Sequence, residues 1–179
     1  MRMIGVILLA LRSVKAQILV KLDPVSYARK LGVRLGQGIR LIGIKPGSGT
    51  FGSEPYLVEI GDHVTVAGAV QFVTHDGGVW IFREKEPDID VFGKIKVGDN
   101  VFIGYGAVIM PNVTIGDNVV VGAMSVVTKN VESNTVVAGV PAKKIYSVDE
   151  YHDIVSKKKE NIKHYSEEEK RKYLIEKYK

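Results

Sequence analysis

Residues 97–131, VGDNVFIGYGAVIMPNVTIGDNVVVGAMSVVTKNV, repeat their side-chain pattern every six positions. An aliphatic residue opens each hexad, and this first series is Val97, Ile103, Ile109, Ile115, Val121 and Val127. A second series of small or aliphatic residues begins four positions later and comprises Val101, Ala107, Val113, Val119, Ser125 and Val131. Glycine directly follows the first-series residue in four of the six hexads. An unbroken period of six residues is therefore the feature that decides the fold.

Neither a helix, with 3.6 residues per turn, nor a lone strand, with a period of two, repeats its side chains in this way. A short strand followed by a tight turn does. Three such units close a triangular coil of eighteen residues, with the aliphatic series stacked inside. Asn100, Asn112 and Asn118 supply turn residues that tolerate a left-handed backbone. Because one coil cannot bury its own inner face, stability must come from stacked neighbours.

The same step occurs earlier in the chain, at Ile60, Val66 and Phe72, with Leu35 and Leu41 opening a partial coil. The phase then breaks, because Phe72 and Val91 are nineteen residues apart. We expect the segment around 77–90 to leave the coil as a protruding loop. Its composition agrees: it holds a Gly-Gly pair, the only tryptophan, a run of four charged residues and a proline.

Three regions follow from this pattern: an N-terminal helical segment at 1–32, the coils at 33–146 and a helical tail at 147–179. Asp23 and Pro24 predict an N-cap and a first helical residue for a short helix that ends near Gly32.

Residues 3–11 are apolar, but basic residues interrupt them well short of the roughly 20 residues that span a bilayer. Two interpretations stay open. This segment either packs on the domain or anchors at a membrane interface, where headgroups would meet the bases Arg2, Arg12, Lys15 and Lys21.

The 179-residue chain contains no cysteine, which excludes disulfides, thiolate metal sites and a cysteine nucleophile and fits a reducing compartment such as the cytoplasm. The net charge of +5 is uneven: residues 1–45 carry nine bases and one acid, whereas residues 46–142 carry five bases and eleven acids. A basic end can meet an anionic surface or a phosphorylated ligand. No stripe of alternating aromatic and basic residues is present, so we do not expect nucleic-acid binding.

Three stretches resemble the hexapeptide acyltransferases, in the branch of capsular and lipopolysaccharide O-acetyltransferases and xenobiotic acetyltransferases. They are FGSEPY at 51–56, FVTHDGGVW at 72–80 and GVPAK at 139–143. The resemblance covers residues 24–155. It implies an all-β, left-handed parallel β-helix that forms homotrimers, with each active site between two neighbouring prisms. It also implies acetyl transfer from acetyl-CoA to a hydroxyl of a sugar or polysaccharide precursor, with His75 as general base and no metal.

His75 also stands out by its place in the pattern. It lies three positions after the inward Phe72, so it should point outward, at the start of the loop. A neutral imidazole can accept the proton of a hydroxyl, and it works best when an acceptor holds its other nitrogen. Asp76 and Glu54 are the candidate acceptors. Glu54 lies eighteen residues before Phe72 and hence one coil below, and because a buried unpaired carboxylate is costly we expect it at a distorted corner with a partner. Thr74 and Trp80 are the candidate acceptor-binding residues.

Stacking predicts a coenzyme site on a column of small residues. Gly104, Tyr105 and Gly106 should lie one coil below Ala123 and Ser125, and Pro141 and Ala142 one coil further on. Such a column offers backbone amides to the two amides of a pantetheine arm. Lys143 and Lys144, at its end, could meet the coenzyme's phosphates.

Two enzymes with the same kind of repeat fit less well. The γ-class carbonic anhydrases bind zinc with three histidines, whereas only His63 and His75 lie in the coils here. A serine acetyltransferase would carry a long helical domain before Leu35, and the segment is too short. The alternative of another class is a non-catalytic trimeric scaffold or sugar-binding protein, which would bind no coenzyme A.

Overall fold

The computed structural model describes residues 16–21, 23–47 and 49–179. Residues 3–11, for which two interpretations stay open, lie outside the described ranges. Of the four bases named with them, Arg2, Arg12 and Lys15 also lie outside these ranges. None of the helices within the described ranges is long and apolar enough to cross a membrane.

Residues 16–21 are helical, and a second short helix, α1 (Pro24–Lys30), begins where the sequence predicts it. The Asp23 carboxylate accepts a hydrogen bond from the Ser26 amide at 2.9 Å, which caps α1 and lowers the pKa of Asp23. The fully buried Ala28 joins the hydrophobic core. The Arg29 guanidinium donates to the carbonyls of Leu35 and Gly36, so α1 is tied to the first coil.

Short strands make up the coils. In chain order they are β1 (Arg34–Leu35), β2 (Arg40–Leu41), β3 (Val58–Ile60), β4 (Thr65–Val66), β5 (Gln71–Phe72), β6 (Ile95–Val97), β7 (Val101–Ile103), β8 (Val108–Ile109), β9 (Thr114–Ile115), β10 (Val119–Val121), β11 (Val126–Val127), β12 (Thr135–Ala138) and β13 (Lys143–Ser147). They form three sheets that the chain visits in turn. Face A has the order β1-β3-β6-β9, face B has β13-β12-β10-β7-β4-β2, and face C has β11-β8-β5. All pairings are parallel except that of β12 with β13.

The eighteen-residue coil is present where the hexads are unbroken, whereas the coils before and after that stretch have other lengths. One register on each face steps by eighteen residues: Lys96↔Thr114 on face A, Val101↔Val119 on face B and Val108↔Val126 on face C. The other steps are Arg34↔Glu59, Val58↔Ile95 and Val120↔Val136, and they span 25, 37 and 16 residues. The hexads thus predict where each strand lies in the coil, whereas extra or missing residues enter at the corners.

The two aliphatic series form the core, as the repeat predicts. Ile103, Ile109 and Val121 have no exposed surface, and Ser125, the one polar member, is equally buried. Each inner residue stacks on its counterpart one coil away, for example Val121 on Ile103 in the β10–β7 register. Burial of this kind is worth roughly 25 cal/mol per Å² of apolar surface.

An amide ladder joins the corners between faces A and B. His63, Asn100, Asn118 and Asn134 all have left-handed backbones, with φ between 54° and 60°. His63 Nδ1 contacts Asn100 Oδ1 at 2.8 Å, Asn100 donates to Asn118 at 2.8 Å, and Asn118 donates to Asn134 at 3.0 Å. His63 is exposed and belongs to this ladder.

The chain divides into two compact units, the first ending at Val148 and the second spanning Asp149–Lys179. Two helices follow the last strand, α2 (Val148–Ser156) and α3 (Glu167–Lys177). Ser166 and Glu169 form a capping box at the start of α3, and Glu160 binds the side chains of Tyr173 and Lys177. The predicted helical tail is thus present.

Candidate functional site

His75 lies at the corner that follows β5, where the chain leaves the second coil. Two backbone hydrogen bonds close the base of the excursion: Asp76 N–H donates to Val91 C=O at 2.9 Å, and Gly93 N–H donates to Thr74 C=O at 2.8 Å. His75 and Phe92 face each other in an antiparallel bridge. The imidazole therefore extends from a hydrogen-bonded backbone at the base of the loop.

The His75 ring has one polar partner and one exposed side. Its Nδ1 lies 3.3 Å from Glu54 Oε2, and the Phe92 ring lies 6.3 Å away between centroids. The side chain of His75 is 41% exposed, whereas that of Glu54 is only 15% exposed. A carboxylate accepts only, so it favours the tautomer with a proton on Nδ1. Nε2 is then the nitrogen left with a lone pair.

Glu54 reaches His75 by a different route from the one that its spacing suggests. Phe72 N–H donates to Thr50 C=O, so Phe51 lies in register with Phe72, and their rings stack at 5.6 Å. The interior column below Phe72 therefore holds Phe51, and Glu54 lies beyond it at the corner. Glu54 instead precedes a short 3-10 helix (Pro55–Leu57), and its carboxylate turns toward Thr74 and His75.

Asp76 caps a helix at the start of the loop. Its Oδ1 accepts from Gly78 N–H at 2.8 Å and caps a 3-10 helix (Gly77–Phe82) that begins the loop. Asp76 thus shapes the loop, and of the two candidate carboxylates it is Glu54 that the fold places against the imidazole.

A cleft of about 440 Å³ opens in front of His75. Trp80, at its rim, is 73% exposed. Arg83 and Asp90 line the opposite part of the cleft and form an ion pair at 2.5 Å. Sequence reasoning missed Arg83, Asp90 and Phe92, because they are recruited by the path of the loop and no repeat position marks them.

Thr74 does not line this cleft. It has no exposed surface, and its hydroxyl is engaged with Glu54. The expectation that Thr74 contacts an acceptor is therefore corrected.

The predicted ledge of small residues lies at the corner between faces B and C. Met124 N–H donates to Tyr105 C=O at 2.8 Å, so 104–106 and 122–124 stack as expected. Tyr105, Ala123 and Met124 are exposed there. Gly106 has φ +68°, and Met124 occupies the same left-handed conformation one coil on. Gly104, by contrast, is buried, and its amide donates to Val121 C=O at 2.8 Å, so the expectation that Gly104 itself contacts the coenzyme is corrected.

Two other parts of the ledge differ from the expectation. Ser125 is fully buried, and its Oγ accepts from Gly139 N–H at 3.2 Å, so it ties the last coil down and presents nothing to a ligand. The last step is sixteen residues, which puts Ala138 over Gly122, so 139–142 is displaced along the corner. Ala142 N–H donates to Val126 C=O at 2.8 Å.

Pro141 is exposed beside this ledge. Lys143 and Lys144 lie on β13, at the top edge of face B, where they pair with Ala138 and Val137. Both lysines are exposed.

His75 and the ledge lie at different corners of the prism. The ledge separates faces B and C, whereas His75 follows face C. The described residues of one chain therefore hold the two candidate half-sites one face apart. No group of three or more His, Cys, Asp or Glu side chains is placed to hold a metal ion within the described ranges.

Comparison with known proteins identifies the family. Residues 94–129 match the model of the bacterial transferase hexapeptide family, which has six repeats. Protein CapG of Staphylococcus aureus is 52% identical over 151 residues, which cover 84% of this chain and 87% of CapG.

Among solved structures, a hexapeptide-repeat-containing acetyltransferase from Vibrio cholerae superimposes with a TM-score of 0.57 at 22% identity, over 76% of this chain and 89% of that one. The fold is thus a left-handed parallel β-helix. From the 52% identity and the matching hexads, the chain belongs to the family of hexapeptide-repeat acyltransferases.

Proposed function

We propose that this protein is an acetyl-CoA-dependent O-acetyltransferase that acts on a hydroxyl of a sugar or polysaccharide precursor, with His75 as the general base. One observation carries the proposal: the His75 ring has a carboxylate at Nδ1 and an exposed opposite side that faces a cleft. That arrangement leaves Nε2 free to take a proton from a hydroxyl. Trp80 at the rim offers a flat face on which a sugar ring can stack.

The transfer is direct. Nε2 takes the hydroxyl proton while the hydroxyl oxygen bonds to the thioester carbonyl carbon. The tetrahedral intermediate then collapses, the C–S bond breaks, and the departing sulfur receives the proton from His75. A backbone N–H of a neighbouring coil stabilises the oxyanion. With no cysteine in the sequence, no cysteinyl acyl-enzyme forms.

The donor occupies the ledge. Tyr105, Gly106 and Ala123 line the path of the pantetheine arm, the buried Gly104 lets the next coil pack closely against it, and Pro141 and Ala142 flank the arm. The ammonium groups of Lys143 and Lys144 are exposed at the edge of the ledge and pair with the coenzyme's phosphates. Because the donor is acetyl-CoA, we expect the reaction to take place in the cytoplasm.

The active protein is a homotrimer. Because His75 and the ledge lie at different corners of one prism, a neighbouring prism is needed to bring an acetyl group on one ledge to the histidine of the next. Each active site then draws on two subunits, and three equivalent sites close the ring.

Thiol release from acetyl-CoA, measured over a panel of sugars and sugar nucleotides, tests the proposal. His75→Ala should lower kcat at least about a hundredfold, because the base is lost. His152→Ala, an exposed histidine in the tail, is the matched control and should keep full turnover. Near-normal transfer by His75→Ala would refute the role of His75. Absence of acetyl-CoA binding in calorimetry would instead favour a non-catalytic scaffold or sugar-binding protein.

A further inference from the structure

Thr74 occupies an unusual position for a hydroxyl. It has no exposed surface and directly precedes His75. Its Oγ1 accepts a hydrogen bond from Glu54 N–H at 3.3 Å and donates one to Glu54 Oε2 at 2.6 Å. The hydroxyl therefore acts as hydrogen-bond donor and as acceptor to the same residue, Glu54. Thr74 therefore holds Glu54 by its backbone and by its carboxylate at once.

The oxygen that Thr74 holds is also the one that faces the imidazole. Glu54 Oε2 lies 2.6 Å from Thr74 Oγ1 and 3.3 Å from His75 Nδ1. A short O–H···O⁻ bond is charge-assisted and is the stronger of these two contacts. A glutamate has three rotatable side-chain bonds, so without this bond its carboxylate is free to turn away from the ring.

Gly52 makes this arrangement sterically possible. Its φ is +69°, and a Cβ at this position would overlap the Thr74 hydroxyl and lie 2.8 Å from the Phe72 carbonyl. The chain at 52–54 can therefore run directly against Thr74. This close approach sets the backbone of Glu54 within reach of the buried hydroxyl.

We infer that Thr74 is a positioning residue of the transferase site: its hydroxyl fixes Glu54 Oε2 against His75 Nδ1 and so keeps the reactive lone pair on Nε2. The inference rests on the proposed role of His75 as general base. Thr74 is therefore a residue that orients the base, in place of the acceptor-binding role expected from the sequence.

Two substitutions separate the hydroxyl from the methyl group. Thr74→Val keeps the shape and removes the hydroxyl, whereas Thr74→Ser keeps the hydroxyl. Thr74→Val should lower kcat about tenfold, since the base remains and only its orientation is lost. KM for acetyl-CoA should stay within about twofold, because Thr74 touches no substrate. Thr74→Ser should keep at least about half of the wild-type kcat, and melting temperatures would establish that both variants fold.

A double-mutant cycle tests whether Thr74 acts through Glu54. In a Glu54→Ala background, Thr74→Val should change kcat by less than about twofold, because the carboxylate to be positioned is absent. Wild-type kcat in folded Thr74→Val, an equal loss in Thr74→Ser, or a full tenfold loss on top of Glu54→Ala would each overturn the inference.

Nuclear magnetic resonance of the imidazole nitrogens supplies a readout that needs no turnover. The wild-type protein should show His75 as the tautomer protonated on Nδ1, and Thr74→Val should populate the other tautomer measurably. An unchanged tautomer population would overturn the inference. If the wild-type protein transferred no acetyl group, or if His75→Ala remained active, the proposed function would fail while this tautomer shift could still be measured.

Discussion

Asn118 offers a direct measure of what the amide ladder contributes. Its side chain accepts from Asn100 and donates to Asn134, and its φ is 54°. Asn118→Ala removes both hydrogen bonds, each worth about 0.5–1 kcal/mol net. It also forces an alanine into the left-handed region, at about 1–2 kcal/mol. The free energy of unfolding should therefore fall by about 2–4 kcal/mol.

Asn118→Gly is the matched control, because glycine loses the same hydrogen bonds but adopts the left-handed region without strain. Its loss should be smaller by about 1 kcal/mol. Urea unfolding at one fixed protein concentration, followed by circular dichroism, gives both values. If alanine were no worse than glycine, backbone strain would not be the reason for asparagine at this corner. Losses below about 0.5 kcal/mol in both variants would mean that the ladder contributes nothing.

Three further outcomes follow from the described contacts. Ile109→Ala, at a core position with no exposed surface, should cost about 2–5 kcal/mol, and a loss under 1 kcal/mol by urea unfolding would contradict close packing there. A hydrogen bond from Lys94 lowers the pKa of Glu59 below its ordinary value of 4.5. The ionised carboxylate therefore stabilises the fold at pH values above 4.5, and this stabilisation is lost as the pH falls through the lowered pKa of the folded protein. Because the pair is exposed, Glu59→Gln should cost under about 1 kcal/mol at pH 7 and nothing at pH 2, and a difference that persists at pH 2 in thermal melts would argue against the ion pair. Met124→Asn should raise the free energy of unfolding by about 0.5–1 kcal/mol, because asparagine tolerates the φ of 57° better and the methionine is 66% exposed; a lower melting temperature would show that the methionine side chain contributes packing.

The repeat predicts which side chains point inward better than it predicts how many residues make up each coil. Which residues face inward follows from the hexads, because an inward charge would be costly at every coil. Ile60, Val66 and Phe72 are buried as their phase requires. The break before Val91 likewise predicts the excursion, since nineteen residues cannot be divided into whole hexads.

Outside the unbroken hexads, the number of residues in each coil could not be predicted. A corner can absorb extra residues without disturbing the inner column, so the step from Phe51 to Phe72 is not encoded in the period. That is why spacing alone could not locate Glu54, although its pairing with His75 was one of the two options. The burial of Ser125 followed from the repeat, whereas its bond to Gly139 depends on the shortened last coil.

The hydrogen bonds at the base of the loop separate sequence changes that move the backbone of His75 from sequence changes that leave it in place. The bonds from Asp76 to Val91 and from Gly93 to Thr74 join the two strands of the excursion before the loop begins. Residues beyond that junction can be lengthened, exchanged or lost without altering the path of the backbone that carries His75. The rim of the cleft, with Trp80, can therefore vary in sequence while the contact between Glu54 and His75 stays constant. Grafting loops from relatives onto residues 77–90 is accordingly a route to new acceptors on an unchanged prism.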